Sequence, residues 1–307
     1  MKRSARVTVV GSANVDLTIF TSVVPRAGET VLGDEFQMSI GGKGTNQATA
    51  ARRAGSEVTM VTKVGDDSLA EVLLAHYRAE GIATDQVWRV PNCATGTATI
   101  IVDTHTGENR IVVASGANAK IGADDIFAAE TAIAEADALV LQLEIAPKAS
   151  LAAAEAAKRA GKLCILNPAP AAPLPPHLFA CADYFTPNET EAEFYTGIAI
   201  RSIDNAFCAG EKLLTLGVGC AVITLGAAGA VLVHEGKRVH IPTIAVEAID
   251  TTGAGDCFNG VLAVALAEGL DEVEAVRRAS LAASLAVQRK GAAVSCPTRA
   301  EIDAAIR

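Results

Sequence analysis

Six apolar runs alternate with alanine-rich stretches along this chain, and that rhythm limits the fold more than any single motif does. The runs are RVTVVGS (6–12), EVTMVTKVG (57–65), DALVLQLE (137–144), KLCILNPAP (162–170), DYFTPNE (183–189) and CAVITLG (220–226). They are too apolar to leave one face in water, so each reads as a strand covered on both sides. Residues 45–54, 68–80, 124–134, 148–160, 203–216, 256–268 and 272–287 read as helices. Strand then helix, repeated, specifies an α/β fold with a doubly wound, mostly parallel sheet. Such sheets bind ligands beyond the carboxyl ends of their strands. Residues that carry chemistry are therefore expected just after strands.

Two stretches break the rhythm. Residues 16–38 and 94–114 are rich in Val, Ile and Thr, with polar turns such as DTHTGEN, and read as antiparallel strands. They are expected to form a small inserted β-sheet acting as a lid; extra edge strands of the main sheet are the alternative. The 307 residues suit one large α/β domain over 1–307. A net charge of −9 argues against sequence-independent nucleic-acid binding, which needs basic surface. The seven cysteines are scattered, odd in number and without a C-x-x-C pair, which fits reduced cytosolic thiols better than zinc ligands or a disulfide framework. The histidines are dispersed, so no metal-ligand cluster is expected. The start, MKRSARVTVVGS, enters a strand at once without a signal-peptide pattern, and no window is apolar for long enough to span a membrane. A cytoplasmic protein with no membrane partner is expected.

Several motifs follow strands. In GSANVD (11–16), Asn14 and Asp16 offer an amide and a carboxylate, the mixture that sugar hydroxyls need as donors and acceptors; a turn bonded to its own backbone is the plainer reading. SIGGKGTNQATAARRAG (39–55) places Gly41-Gly42 before a helix, with Thr45 or Asn46 near its cap. It is not a Walker A loop, because Gln37 and Gly44 stand where that pattern needs Gly and Ser/Thr. Lys43 and Asn46 can supply donors to polyol oxygens, or Lys43 can be a solvated lysine at a helix start. Glu144 in QLE (142–144) is either aimed at a ligand or a surface acid. In TPNETEAEFYTG (186–197), Asn188 and Glu191 make a capping box, or lie near phosphates and organise Mg²⁺ through water. Thr224 and Gly226 in VITLGAAGA (222–230) suit the edge of a nucleotide pocket.

The most telling segment is TTGAGDCFNG (251–260). A dinucleotide fingerprint fails, since its third glycine, Gly260, comes too late and Asp256 would face the pyrophosphate. Kinase chemistry explains the acid better. The N–H groups of Gly253, Ala254, Gly255 and Asp256 at a helix start form an anion hole for the migrating phosphoryl group. Asp256 then accepts the proton of the attacking hydroxyl. The helix end is expected to lower its pKa.

Together, GSANVD, GGKGTNQA, QLE, NPAPA, TPNETE, VITLG, DTTGAGDCFNG and RKGAAVSCP occur in this order between about Val7 and Ile306. As a set they resemble the ribokinase (phosphofructokinase-B) family of carbohydrate kinases. The resemblance implies a three-layer α/β/α fold whose β-lid also clasps a homodimer. It implies phosphorylation of D-ribose by ATP to give D-ribose 5-phosphate and ADP, with another pentose, deoxyribose or a nucleoside as the alternative acceptor. Asn14, Asp16, Gly42, Lys43, Asn46 and Glu144 match ribose-binding positions, and Ala98 and Ile100 match lid positions over the sugar. Asn188, Thr224, Gly226, Gly229 and Gly255 match the ATP side, with Glu191 toward Mg²⁺. Gly253, Ala254 and Gly255 match the anion hole and Asp256 the catalytic base. Asp250, Thr252, Ala286, Arg289, Gly291 and Ser295 match a site for an activating K⁺, several through backbone oxygens. Cys257 is expected to be a packed thiol.

Overall fold

The computed structural model describes residues 3–306. Along the chain the strands are β1 (Arg6–Val10), β2 (Asn14–Thr21), β3 (Glu35–Gly41), β4 (Glu57–Gly65), β5 (Ala83–Val90), β6 (Gly96–Asp103), β7 (Asn109–Ala114), β8 (Ala138–Leu141), β9 (Leu163–Leu166), β10 (Tyr184–Phe185), β11 (Cys220–Thr224), β12 (Ala230–His234) and β13 (Lys237–Ile241). The helices are α1 (Lys43–Arg53), α2 (Ser68–Glu80), α3 (Ala123–Ala128), α4 (Glu130–Glu135), α5 (Pro147–Arg159), α6 (Pro176–Phe179), α7 (Glu189–Thr196), α8 (Ile203–Thr215), α9 (Ala254–Ala267), α10 (Glu272–Ala286) and α11 (Arg299–Ile306).

Nine strands form the large sheet in the order β13-β12-β11-β10-β9-β8-β1-β4-β5. It is parallel from β11 to β5, and the hairpin β12–β13 adds two antiparallel strands at one edge. Both faces are covered, which gives three layers. One core joins α1, α2, α9 and α10 to the sheet through Ala48, Ala51, Leu73, Val261 and Ala279. The other joins α3 to α8 through Ile126, Ile133, Ala153, Leu178 and Leu213. The central strands explain this: Val7, Val9 and Val10 of β1 are buried, so no face is left for water.

The two β-rich stretches form a separate four-stranded sheet, β3-β2-β6-β7, rather than edge strands of the large one. Its strands reach further than expected on the site side, beginning at Asn14 and ending at Gly41, while residues 22–34 are not strand. Helix 124–134 divides at Ala129 into α3 and α4. The run 183–189 keeps only Tyr184–Phe185 as strand, because Pro187 has no N–H to donate and Asn188 turns to cap α7.

The order of the large sheet reverses beside β1. The chain fills one side with β4 and β5 and the other with β8 to β13, so β1 and β8 flank the switch point. The crevice beyond their carboxyl ends is where a ligand is expected.

Candidate active site

Both strands at the switch point deliver polar side chains into that crevice. Ser12, just past β1, donates to Glu144 Oε2 at 2.5 Å, and Lys43 N–H donates to the same oxygen at 3.0 Å. Glu144 is thereby tied to β1 and α1 rather than free on the surface. Asn14 is buried on β2, and its Oδ1 accepts from Asn118 Nδ2 at 2.7 Å. Asn118 also holds Ala13 N–H and Ala13 O. On the small sheet, Asp16 is in register with Ala98 and Thr18 with Ile100, so Ala98 and Ile100 share the face of β6 beside Asp16. Burial raises the Asp16 carboxyl to about 6, with Glu144 and Asp256 adding like-charge repulsion.

Close helix packing positions the acid of TTGAGDCFNG. Gly260 of α9 sits against α1, where a Cβ would lie 2.6 Å from both Ala50 Cβ and Gln47 O. This approach brings α1 side chains onto Asp256, one turn earlier on α9. Asn46 Nδ2 donates to Asp256 Oδ2 at 2.9 Å, and Gln47 Nε2 to Asp256 Oδ1 at 2.9 Å. Gln47 Nε2 also reaches Asn167 Oδ1 at 3.1 Å, while Gln47 Oε1 accepts from Gln142 Nε2 at 2.6 Å. The remaining oxygen of the pair, Asn46 Oδ1, is buried without a partner among the described residues. A buried acceptor left open beside a carboxylate suits a ligand hydroxyl.

Two expectations need correction here. α1 starts at Lys43 with Gly42 as its N-cap, so Thr45 and Asn46 are inside the first turn instead of capping it. Thr45 bonds Tyr77 at 2.7 Å, which leaves Asn46 for Asp256. The Asp256 carboxyl is also raised, not lowered. Burial disfavours its charge more than Lys43, Asn46 and Gln47 favour it. The helix end does not decide the matter, because Asp256 is almost wholly withdrawn from water.

Gly253 caps α9 with φ 76°, a left-handed conformation that glycine adopts without strain. Among the described residues, no acceptor within the chain takes the N–H groups of Gly253, Gly255 or Asp256. Ala254 N–H is different: it donates to Thr251 O at 3.2 Å, so the expected four-donor hole has three free donors here. These groups line a cleft of about 210 Å³ with Lys43, Asn188, Glu191 and Thr224. Lys43 therefore lines this cleft, and its ammonium is held in the charged form by Asp256 and, further, by Glu144 and Glu191. Asn188 and Glu191 form the expected capping box at 2.8 and 2.9 Å, and Asn188 pairs with Thr224 across a single bridge. Burial raises the Glu191 carboxyl. Gly226 and Gly229 lie in the turn after β11, where Leu225 N–H bonds Gly229 O at 2.8 Å.

Asp250 ties two loops together. Its carboxylate accepts from Thr252 N–H and from Gly291 N–H, each at 2.9 Å. Burial pushes its pKa up, but these bonds and Lys290 outweigh that and hold it below the usual range. The neighbouring Ala292 packs against Gly253, where a Cβ would meet it at 2.8 Å. Ala286 O accepts from Arg289 N–H at 3.0 Å, while the Arg289 guanidinium turns away to Glu301. Ser295 Oγ donates to Ala292 O at 2.8 Å. Cys257 is buried, as expected for a packed thiol.

Residues 4–299 match the pfkB family carbohydrate kinase profile. The chain belongs to this family of carbohydrate kinases. It is 41% identical over 310 residues to the ribokinase of Mus musculus, covering 99% of this chain and 96% of that one. It is 37% identical over 293 residues to the deoxyribokinase of Salmonella typhi, covering 95% of each. The structure of Arabidopsis thaliana ribokinase complexed with ribose and ATP superposes with a TM-score of 0.93, at 33% identity over 99% of both chains. The fold is the ribokinase-like α/β fold, and the chain is a phosphotransferase of the carbohydrate kinase type.

Sequence reasoning left out Ser12, Gln47, Asn118, Gln142 and Asn167. Gln47 carried a usable signal. It shares a helical face with the buried Ala50, Ala51 and Ala54, so its amide had to be buried and hydrogen-bonded. Asn118 carried none, because it sits in a 3₁₀ turn at Gly116–Lys120 with no periodic pattern.

Proposed function

We propose that this kinase transfers the γ-phosphoryl group of ATP to O5 of D-ribose, giving D-ribose 5-phosphate and ADP. The observation that carries the reading is Asp256, buried at the start of α9, oriented by Asn46 and Gln47 and adjacent to three unbonded backbone N–H groups. A carboxylate in that place suits the acceptor hydroxyl, while the amides suit the phosphoryl group. The raised pKa makes Asp256 a stronger base than an exposed aspartate.

In this reading Asn14, Asp16 and Glu144 orient the sugar hydroxyls, and Asn46 Oδ1 accepts one of them. Gly42, at the head of α1, keeps the sugar close to that helix, and Ala98 and Ile100 of the small sheet close over it as a lid. The O5 hydroxyl gives its proton to Asp256 as it attacks the γ-phosphorus. Gly253, Gly255 and Asp256 N–H groups face the migrating group, with Ala254 joining once its bond to Thr251 opens. Lys43 adds positive charge between the two substrates. Asn188, Thr224, Gly226 and Gly229 border the nucleotide.

Glu191 fits an Mg²⁺ ion held through water: it is a largely buried acid lining the cleft, with one oxygen fixed on Asn188 N–H. Mg²⁺ would neutralise phosphate charge there. Asp250, held anionic, fits K⁺ together with carbonyls near Thr252, Ala286, Arg289, Gly291 and Ser295, and its loops pack on Gly253. Phe36, Met38 and Val112 leave an exposed apolar surface on the face of the small sheet opposite Asp16, which suits a homodimer. A cytoplasmic location accords with seven unpaired cysteines. Among the described residues, no helix is long and apolar enough to cross a membrane.

The similarity to a deoxyribokinase makes 2-deoxyribose the second candidate acceptor. ADP release is the test, with ribose, 2-deoxyribose, other pentoses and adenosine, each in K⁺ and in Na⁺. Ribose turnover ahead of the others and faster in K⁺ is expected. Faster turnover of 2-deoxyribose or adenosine overturns the choice of sugar, and equal rates in both salts remove the cation site.

A further inference from the structure

The dispersed cysteines and histidines give no hint of a metal cluster, yet three ligating side chains converge far from the cleft. Cys220 opens β11, His234 ends β12 and Glu272 starts α10. Their sulfur, nitrogen and carboxylate oxygen atoms all lie within 4.8 Å of one another. The antiparallel pairing Ala221↔Val233 puts Cys220 and His234 at the same end of the hairpin. Thr224, which lines the active-site cleft, is at the other end of β11. The group is therefore separate from the phosphoryl-transfer site.

A histidine–glutamate ion pair beside a core thiol accounts for part of this arrangement. His234 Nδ1 is 2.9 Å from both Glu272 oxygens. It does not account for a buried thiol set against a carboxylate whose one ion pair among the described residues is to that imidazole. Cys220, His234 and Glu272 bring one thiol, one imidazole and one carboxylate within reach of a single point, a donor set that one divalent cation can gather.

We propose that Cys220, His234 and Glu272 bind one Zn²⁺ ion, with water as the fourth ligand. One sulfur, one imidazole nitrogen and one carboxylate oxygen are a donor set that zinc accepts and that Mg²⁺ and Ca²⁺ do not favour. Zinc bonds of about 2.0–2.3 Å place tetrahedral ligand atoms roughly 3.3–3.8 Å apart. The ligand atoms, all within 4.8 Å of one another, would draw together to that spacing on binding. On binding, the Cys220 thiol proton leaves to solvent, and the ring gives up Nδ1 to the metal while keeping one proton on Nε2, any second ring proton also leaving to solvent. Nε2 lies 3.8 Å from Glu235 Oε1, which can orient the ring from outside the coordination sphere. The side chains of His234 and Glu272 are 26% and 23% exposed, which leaves an entry path and room for water. The ion would staple the edge hairpin β11–β12 to α10, the helix that packs on α9 and ends at Ala286.

The full-length protein is stripped with a chelator and titrated with Zn²⁺ in excess Mg²⁺, then separately with Co²⁺. The expected results are one Zn²⁺ per chain and a thiolate-to-Co²⁺ charge-transfer band. Cys220→Ala and Glu272→Gln should each weaken Zn²⁺ binding by about 100-fold. Glu272→Gln, on the exposed side of the cluster, serves where Cys220→Ala does not fold. Unchanged Zn²⁺ binding in the variants, or a cobalt complex without the thiolate band, overturns the proposal.

Discussion

Replacing Gln47 with methionine tests whether the buried amide network sets the state of Asp256. Gln47 Nε2 supplies one of the two side-chain hydrogen bonds to that carboxylate, at 2.9 Å. Methionine keeps the length and removes the donor. A hydrogen bond to a charged group stabilises it by about 1.5–3 kcal/mol. Its loss raises the already raised Asp256 pKa further, and at 1.36 kcal/mol per tenfold that energy corresponds to about 10- to 100-fold in the protonation equilibrium. The sign follows from the role: a general base acts only when ionised, so kcat/KM falls as pH drops through its pKa. The acid limb of the profile should therefore move to higher pH. Well below the limb the variant should be about 10- to 100-fold slower than the parent, and at high pH most of the rate should return. The assay is ADP release at limiting sugar across a pH series. A loss of rate by the same factor at every pH would show that Gln47 only packs the helix, and the reasoning would be wrong.

Asp16 has a raised carboxyl, about 6 against an ordinary 3.8, so the folded state holds a proton that the unfolded chain has lost between those values. Its charge destabilises the sugar-free protein above pH 6, and this cost vanishes as pH falls toward the unfolded value. Asp16→Asn should stabilise the sugar-free protein by roughly 1–3 kcal/mol at neutral pH, less near about pH 4, while sugar affinity collapses. Urea unfolding at the two pH values checks this, and lower stability in the variant refutes it. Gly260→Ala puts a methyl group where 2.6 Å separates it from α1, so it should cost about 1–3 kcal/mol and loosen Asn46 and Gln47 from Asp256. Unfolding and kcat measured together should fall together; a loss of stability with full kcat would uncouple the helix contact from the base.

The elements with strong local signals were legible. β4 and α2 run from end to end as read, because Asp67 caps α2 by accepting from Ala70 N–H and Gly81 closes it in a left-handed turn. β5 was missed since its sequence, ATDQVWRV, sits at the sheet edge and stays mixed in burial. The hairpin β12–β13 was missed because it adds to the sheet antiparallel, against the strand–helix rhythm. At the site, the residues on strand ends were readable as candidates, yet their partners were not. The direction of the Asp256 shift needed the burial that α1 imposes, and no local feature of GAGD reports that. The convergence of Cys220, His234 and Glu272 depends on how β11, β12 and α10 meet, which spacing along the chain does not encode.

The central claim is that Asp256 deprotonates the acceptor hydroxyl. Asp256→Asn keeps the shape and the contact to Asn46 but removes the basic oxygen. The direct measurement is kcat by ADP release beside sugar affinity by calorimetry, on the same preparation. A general base contributes about 10²–10⁴-fold, so kcat should fall by at least the lower figure while affinity shifts only slightly. Turnover close to that of the unmodified enzyme would contradict the account.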